Sequence, residues 1–420
     1  MDFEDTPSEA AFRREARAWL AAHAPRRLEP ELRQASFGTF VLTSDDPIAA
    51  SKAWQLRKFE AGWACLHWPK LYGGREASPI ERVIWVQEEG PYAALSGLFS
   101  IGHNMCGPTL MAWASEEVKM ERLPPLAAGT EIWCQLFSEP AAGSDLAGLR
   151  TRAVRDGDSW VVSGQKIWTS RAHYADWGLL LARTDPDAPK HKGLTMFFVD
   201  MRSPGVTVRP IKQANGGSTF NEVFFEDVRI PDRQRLGEAG QGWRVSITTL
   251  MNERASMGSK ISIGFSELLT LCEGLQIDGR PALEDRAVRG RLAAFAVRER
   301  GLRNTALRAI SALSSGETPG PENSIGKLAA AAAMQELATY ALDLQGQAGV
   351  VTDPHYAPLE ARFQTMLLRT PATRLEGGTD EILRNIIAER VLGLPGDIRV
   401  DRDVPFKEIP TRPPAVERRS

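Results

Sequence analysis

CQLFSEPAAGSD, residues 134–145, is the stretch on which the fold turns. Trp133, Cys134, Leu136 and Phe137 make an apolar run with the composition of a buried strand. Pro140 cannot donate to a sheet ladder, so the strand has to stop at Ser138-Glu139-Pro140. Ala141 to Asp145 then form a loop of small residues. Gly143 lets the backbone approach a bulky group, and Ser138 and Ser144 offer hydroxyls beside free amides. Taken alone, the segment is a strand entering a tight turn, and turn chemistry accounts for it as well as a ligand does.

Outward from this stretch, the period stays short from about 130 to 230. β-rich runs appear at Trp160–Val162, Trp177–Leu181, Leu194–Val199, Val206–Val208 and Val223–Phe225, split by turn signals such as Asp156-Gly157-Asp158 and Pro204-Gly205. This spacing predicts an antiparallel β-domain, a sandwich or small barrel. Helical patterns flank it. On the N-terminal side Phe12, Ala16, Trp19 and Leu20 recur at helical spacing before a break at Pro25. An irregular surface loop is expected from Gln34 to Pro47, a helix from Pro79 to Pro91, and another from Gly107 that ends before Pro124-Pro125. Beyond Pro231 one apolar stripe carries Trp243, Ile247, Leu250, Met257, Ile261, Phe265 and Leu268. Arg286–Leu313 and Ile325–Leu344 are alanine-rich helices, and the tail from Asp397 is expected to lie on the surface or fray. The fold class is therefore α+β and multi-domain. An N-terminal helical domain (1–129) and a β-domain (130–235) precede a C-terminal four-helix-type bundle (236–396) and a tail (397–420).

A chain of 420 residues exceeds a single core. With 43% hydrophobic and 25% charged residues and a formal charge of -2, it has no electrostatic footprint for nucleic acid or anionic membrane. No apolar run reaches the length of a membrane span, and the acidic start MDFEDTPSEAAF lacks the apolar core of a signal peptide. The widely spaced Cys65, Cys106, Cys134 and Cys272 read as buried free thiols of a cytoplasmic protein. The six histidines form no pair at metal-ligand spacing, so no metal is expected.

Two further segments bear on function: GQKIWTS (Gly164–Ser170) and LEGGTDEILRNIIAERVLGLP (Leu375–Pro395). With CQLFSEPAAGSD, and in this order and spacing, they resemble the signatures of the acyl-CoA dehydrogenases, over nearly the whole chain from Phe12 to Pro395. The resemblance implies FAD as cofactor and the same helical–β–helical order. It implies that Gln135, Phe137, Ser138, Gly143 and Ser144 line the flavin, Ser144 also touching acyl-CoA. Trp168, Thr169 and Ser170 would lie against the isoalloxazine ring. Gly346, Gly378, Thr379 and Glu381 would serve the far end of FAD, partly from a partner subunit. Plainer readings exist for some of these. Trp168 also fits a core aromatic at a strand end. Thr379 fits an N-cap with Asp380 and Glu381 in the first turn, ahead of a helix that buries Ile382, Ile386 and Ile387 and stops at Gly393 and Pro395.

The apolar stripe after Pro231 has one misfit. Glu253 falls three after Leu250 and four before Met257, on the stripe itself, with Arg254 beside it. A structural Glu-Arg pair at a helix interface is one reading. The other is a desolvated carboxylate poised as a base. The resemblance favours the base: in one branch of the family the catalytic glutamate comes from a Glu-Arg pair on this helix, matched by Met251-Asn252-Glu253-Arg254. In the other branch it precedes the Gly-Thr of the last flavin loop, where this chain has Gly377. Glu376 is displaced by one position and is expected to point elsewhere. Gly377 would donate its amide to the thioester carbonyl and leave room for Glu253, while Asn252 and Arg254 would contact substrate.

The chain also departs from the family. An Arg-x-x-Phe-Gly segment that reaches the partner's pyrophosphate is replaced by GLQIDGRPALEDR, and Gln-x-x-Gly-Gly by DLQGQAG, which retains Gly346. The implied assembly is a homodimer or homotetramer, or a heteromer, passing electrons to an electron-transfer flavoprotein. A quiet flavin-binding subunit and an acyl-CoA oxidase are the alternatives.

Overall fold

The computed structural model describes residues 5–24, 46–90, 92, 97–257, 263–314, 320–321, 324–396, 398 and 401–409. Caps open its N-terminal helices. In α1 (Pro7–His23) the Thr6 side chain accepts from Glu9 N while the Glu9 carboxylate accepts from Thr6 N, and Phe12, Ala16 and Leu20 turn inward. Asp46 caps α2 (Pro47–Glu60). Pro47 thus starts a helix rather than closing a loop, since proline suits a first helical position. The rest of the expected loop, 34–45, lies outside the described residues. Ser78 and Glu81 form a second capping box on α3 (Pro79–Glu89). The three helices enclose Phe12, Trp54, Trp63 and Trp85, with Trp63 and Trp85 stacked at 4.7 Å.

The helix expected from Gly107 is two helices. A π-helical turn, Gly102–Cys106, leads into α4 (Gly107–Trp113), and Ser115 caps α5 (Glu116–Ala128). Gly107 is required, because a Cβ there would come within 2.1 Å of the Trp68 ring. Pro124 and Pro125 sit inside α5 rather than beyond it. Their fixed φ is helical, and the Thr130 hydroxyl and N–H take up the Pro125 carbonyl at 3.0 and 3.1 Å.

The middle of the chain is an 8-stranded sheet. Its strands are β1 (Trp133–Leu136), β2 (Arg152–Asp156), β3 (Ser159–Ser170), β4 (Trp177–Arg183), β5 (Leu194–Asp200), β6 (Val206–Ile211), β7 (Phe220–Pro231) and β8 (Arg235–Leu236). The order is β6-β7-β3-β2-β4-β5-β8, with β1 beside β4. The pairing is mainly antiparallel as expected, but β1 runs parallel to β4, from Trp133↔Trp177 to Leu136↔Leu180. β2 and β8 were not legible as apolar runs. Alternation sends Trp133, Leu179, Leu181, Met196 and Phe198 to one core, and Cys134, Leu136, Leu180, Phe197 and Val199 to another.

Beyond the sheet come α6 (Gly242–Met257), α7 (Phe265–Gly274), α8 (Arg286–Ser314), α9 (Ser324–Gln345), α10 (Arg362–Thr373) and α11 (Asp380–Ile386). The expected continuous stripe is divided, since α6 ends at Met257 and α7 begins after Gly264 at φ +86°. Its face on α6 is only partly covered: Trp243 and Leu250 pack half-buried against the core, and Ile261 lies outside the described residues. Val245, Ser246 and Thr249 face inward while Ile247 is exposed. Thr249 bonds Thr109 at 2.8 Å and Thr248 accepts from the Trp113 indole at 3.0 Å, so a polar seam of small residues joins α6 to α4. The C-terminal core comes from α7, α8, α9 and α10, through Leu268, Leu271, Phe295, Leu337, Phe363 and Met366. Ala330, Ala331 and Ala333 of the alanine run are buried in α9. In α11 Asp380 and Leu383 are buried, whereas Ile382, Ile386 and Ile387 are half-covered, and a π-helical turn, Ile387–Val391, extends it. The tail does not fray over 401–409. Phe406 is buried against the sheet. All four cysteines are free, Cys65 half-buried and the others buried. No helix among the described residues is long and apolar enough to cross a membrane.

His103, within the π-helical turn, and His67 carry a pH signature. Burial holds His103 down at about 4 and His67 at about 3, so both are neutral in the folded chain at pH 7. Their folded pKa values lie below the unfolded one, so the unfolded chain takes up more protons between. Stability is full above about 6.5 and falls as the pH drops toward 4. The unfolding free energy from urea curves should therefore decrease between pH 7 and pH 5, by at most about 2 kcal/mol per histidine, and His103→Gln should flatten that slope.

Candidate active site

The first two motif segments meet at a buried ion pair. Glu139 and Ala142 exchange backbone hydrogen bonds at 3.0 Å, closing a tight turn with Pro140 at its corner. The Glu139 side chain points inward, where its carboxylate accepts from Lys166 Nζ at 2.8 Å, Arg150 N at 2.6 Å and Thr151 N at 2.9 Å. Lys166 Nζ donates again to Phe137 O at 3.0 Å, and Ile167 N donates to Ser138 O at 2.9 Å. Burial pushes the Glu139 carboxyl up, but the Lys166 charge and these donors outweigh it and hold the group below the ordinary range. Burial lowers Lys166, with Glu139 opposing it.

The pair also shapes the end of β3. The register with β7 shifts between Lys166 and Thr169, and Trp168 takes a left-handed φ of +60°. Its indole is thereby turned out, 56% exposed, with its edge on Phe220. Trp168 is thus not a core aromatic. Thr169 turns in. Its carbonyl accepts from Asn221 Nδ2 at 2.9 Å, yet its Oγ1 is buried with no hydrogen-bond partner. Gln135 and Ser138 are half-buried, Phe137 is buried, and Gly143 and Ser144 are exposed. A Cβ at Gly143 would meet nothing within 4 Å, so the loop there opens onto free space.

A cleft of about 410 Å³ lies beside this junction. Ser170, Arg171, Tyr174 and Phe220 form its sheet side, Pro47, Ile48 and Ser51 its helical side, and Arg369 and Glu376 its C-terminal side. Arg171 donates to Gly97 O and to Ser100 Oγ at 3.4 Å. Glu376, expected to point elsewhere, lines the cleft. Its two carboxylate oxygens each accept from Arg369 Nη2 at 2.8 Å. The loop that follows is framed by Arg374–Asp380 at 2.6 Å and by Lys327 Nζ donating to Gly378 O at 2.6 Å. Gly377 and Gly378 have φ of +63° and +98°, which explains a glycine pair there. Thr379 is the N-cap, accepting from Ile382 N at 3.2 Å. Glu381 lines a second, shallower hollow with Gln335, Arg374 and Leu375. Gly346 opens a 3-10 turn at the end of α9 with φ +55°.

Glu253 is half-buried on α6 and does not line the cleft. Asn252 donates to Thr248 O at 2.9 Å, and the Arg254 side chain lies outside the described residues. Where the family's interface arginine was expected, the chain forms a tight hairpin, Gln276–Ile277 with Arg280–Pro281, turning at Asp278 and Gly279. The ion pairs were missed in the sequence, although one signal existed. Trp160, Val162, Gly164 and Lys166 share the inward face of β3, and a lysine there demands a buried counter-ion.

Family models for the acyl-CoA dehydrogenase N-terminal, middle and C-terminal domains match residues 6–130, 134–228 and 240–392. Acyl-CoA dehydrogenase IpdE1 of Mycobacterium tuberculosis is 39% identical over 83% of this chain and 89% of its own length. The chain belongs to the acyl-CoA dehydrogenase family. It is a FAD-dependent oxidoreductase acting on acyl-CoA. Acyl-CoA dehydrogenase FadE34 of Mycobacterium tuberculosis is 40% identical over 81% of the chain, which spans 46% of FadE34. Among solved structures, the ChsE4-ChsE5 complex from Mycobacterium tuberculosis superposes with a TM-score of 0.78 at 30% identity, over 94% of this chain and 100% of that one. The Tcur3481-Tcur3483 steroid acyl-CoA dehydrogenase gives 0.78 at 28%, over 94% and 100%. The orphaned Thr169 hydroxyl and the open space at Gly143 fit a flavin.

Breaking the Glu139–Lys166 pair should be costly. Glu139→Gln or Lys166→Met leaves one buried charge uncompensated and is expected to lose about 3–5 kcal/mol, read from the denaturant midpoint, with the double replacement Glu139→Leu/Lys166→Met recovering part of it.

Proposed function

We propose that this enzyme converts an acyl-CoA thioester to the trans-2-enoyl-CoA, with Glu253 as the base and an electron-transfer flavoprotein taking the electrons. The observation that carries the reading is the buried, unpartnered Thr169 hydroxyl at the junction of the two stitched motifs. Thr169 and Ser170 would offer hydroxyls to the flavin edge and Trp168 its indole face. Gln135, Phe137, Ser138, Gly143 and Ser144 would cradle the rest, and Gly346, Gly378, Thr379 and Glu381 would reach its far end. Bound FAD supplies the acceptor for the β-hydride. The chain's own part is proton removal and placement. Glu253 takes the α-proton, while the Gly377 amide donates to the thioester carbonyl as negative charge gathers there. Asn252, Arg254 and Ser144 hold the thioester and its CoA. A glycine at 377 leaves room for a bulky acyl group, in keeping with the steroid enzyme among the structural relatives.

A second reading assigns the base to Glu376, because its carboxylate lines the cleft. Against it, both Glu376 oxygens are engaged by Arg369, which has to let go before a proton can be taken. The half-covered Ile382, Ile386 and Ile387 and the missing interface arginine support assembly with a second subunit, either a copy or, as in the ChsE4-ChsE5 complex, a different chain. The free cysteines support a cytoplasmic setting.

Anaerobic titration with a panel of acyl-CoAs should bleach the flavin absorbance of the purified protein. Glu253→Gln should slow bleaching by about 10²–10⁴-fold and Glu376→Gln by far less. The reverse order would transfer the role to Glu376, and no bleaching by any thioester would sink the dehydrogenase reading.

A further inference from the structure

Residues 401–409 cross back over the sheet, and their contacts converge on the loop that carries Gly143 and Ser144. Phe406 N donates to Ala188 O and Lys407 N to Pro186 O, both at 3.0 Å, while Lys407 Nζ meets Asp187 at 2.5 Å. The Phe406 ring lies 3.4 Å from the Arg183 guanidinium and 5.3 Å from that of Arg150. Arg183 is buried and turns its donors the other way. It donates to Ala147 O at 2.6 Å, Leu149 O at 3.1 Å and Lys190 O at 3.2 Å. Those first two carbonyls belong to the turn directly behind Asp145. Lys190, also buried, joins two carboxylates: Asp401 of the tail, and both oxygens of Asp145 at 2.9 Å.

A buried guanidinium whose hydrogen bonds all go to carbonyls keeps its geometry only while water is excluded from its open face. Phe406 covers that face. A buried ammonium shared by two carboxylates is likewise tied to both segments at once. The tail, Arg183, Lys190 and the Asp145 loop therefore form one connected body.

We propose that residues 401–409 are a strap that holds the Gly143–Asp145 loop in its binding geometry, with Arg183 and Lys190 as positioning residues between strap and loop. The cofactor part of this inference rests on reading that loop as the FAD and acyl-CoA cradle. The strap itself does not. Phe406 acts at a distance from the loop and Asp401 shares its cation, so each can be altered without touching a residue that would contact cofactor or substrate.

Hydrogen exchange of the apo chain, residues 1–420, separates the two claims. In Phe406→Ala, and more weakly in Asp401→Asn, the amides of 143–149 should exchange about tenfold faster while those of β4 and β5 keep their protection. Phe406→Tyr, which retains the ring, should restore the slow rate. FAD titration of the same variants should show a Kd raised about tenfold in Phe406→Ala and unchanged in Phe406→Tyr. Unchanged exchange at 143–149 overturns the strap, and so does faster exchange spread evenly over the sheet, which would make the tail a general stabiliser. A loosened loop with unaltered FAD affinity overturns the cofactor part. Failure of the wild-type chain to bind FAD strikes the functional reading and leaves the exchange result standing.

Discussion

The site depends on one buried ion pair. Lys166 is fully enclosed and Glu139 nearly so, and together they cost far more to desolvate than a surface pair. That cost is tolerable only because every lone pair in reach is used. The carboxylate has three donors and the ammonium has a carboxylate and a carbonyl. Such saturation fixes geometry as well as energy. It locks the turn after β1 against the last residues of β3, forces the bulge that throws Trp168 outward, and leaves Thr169 facing in with its hydroxyl unspent. Two segments that look like separate flavin motifs are, physically, one object.

The cleft beside that object joins three parts of the chain: α2, the ends of β3 and β7, and the C-terminal segment of Arg369 and Glu376. In the cleft Glu376 is held by Arg369; behind it, on the loop that follows, Asp380 is held by Arg374 and the Gly378 carbonyl by Lys327, so the glycine pair sits on a stiff frame despite its positive φ values. A frame of this kind suits an oxyanion donor, whose worth depends on not having to reorganise.

Much of the fold was legible in the residues. Strands buried on one or both faces, such as Trp177–Arg183 and Leu194–Asp200, advertise themselves by composition, and Thr379 announced its helix by cap chemistry. What escaped follows a pattern. Arg152–Asp156 is exposed everywhere but at Ala153 and pairs through its backbone, so it carries no apolar signal. Pro124 and Pro125 looked like a terminator, yet Thr130 donates to the Pro125 carbonyl and the helix runs on to Ala128. On α6, counting hydrophobic residues picked Ile247 over the Ser246 and Thr249 face, because a close helix contact there is made by small polar side chains. The tail looked unstructured because its anchors, Phe406 between two arginines and the ion pairs of Asp401 and Lys407, all reach residues far away in sequence. The motif residues themselves were readable one by one, whereas the ion pairs that support them join residues distant in sequence, and spacing alone does not reveal such pairs.

The parallel seating of β1 against β4 has a consequence for the order in which the molecule is made. Trp133 pairs with Trp177, and the intervening chain must already have turned through β2 and β3 before β1 has an edge to join. Contacts so separated along the chain are closed late and slowly. The Ser138–Asp145 turn hangs from the end of β1, so it cannot take its shape in a nascent chain that has only its N-terminal helices. A polypeptide that stops short of β4 therefore lacks the partner strand that seats this turn.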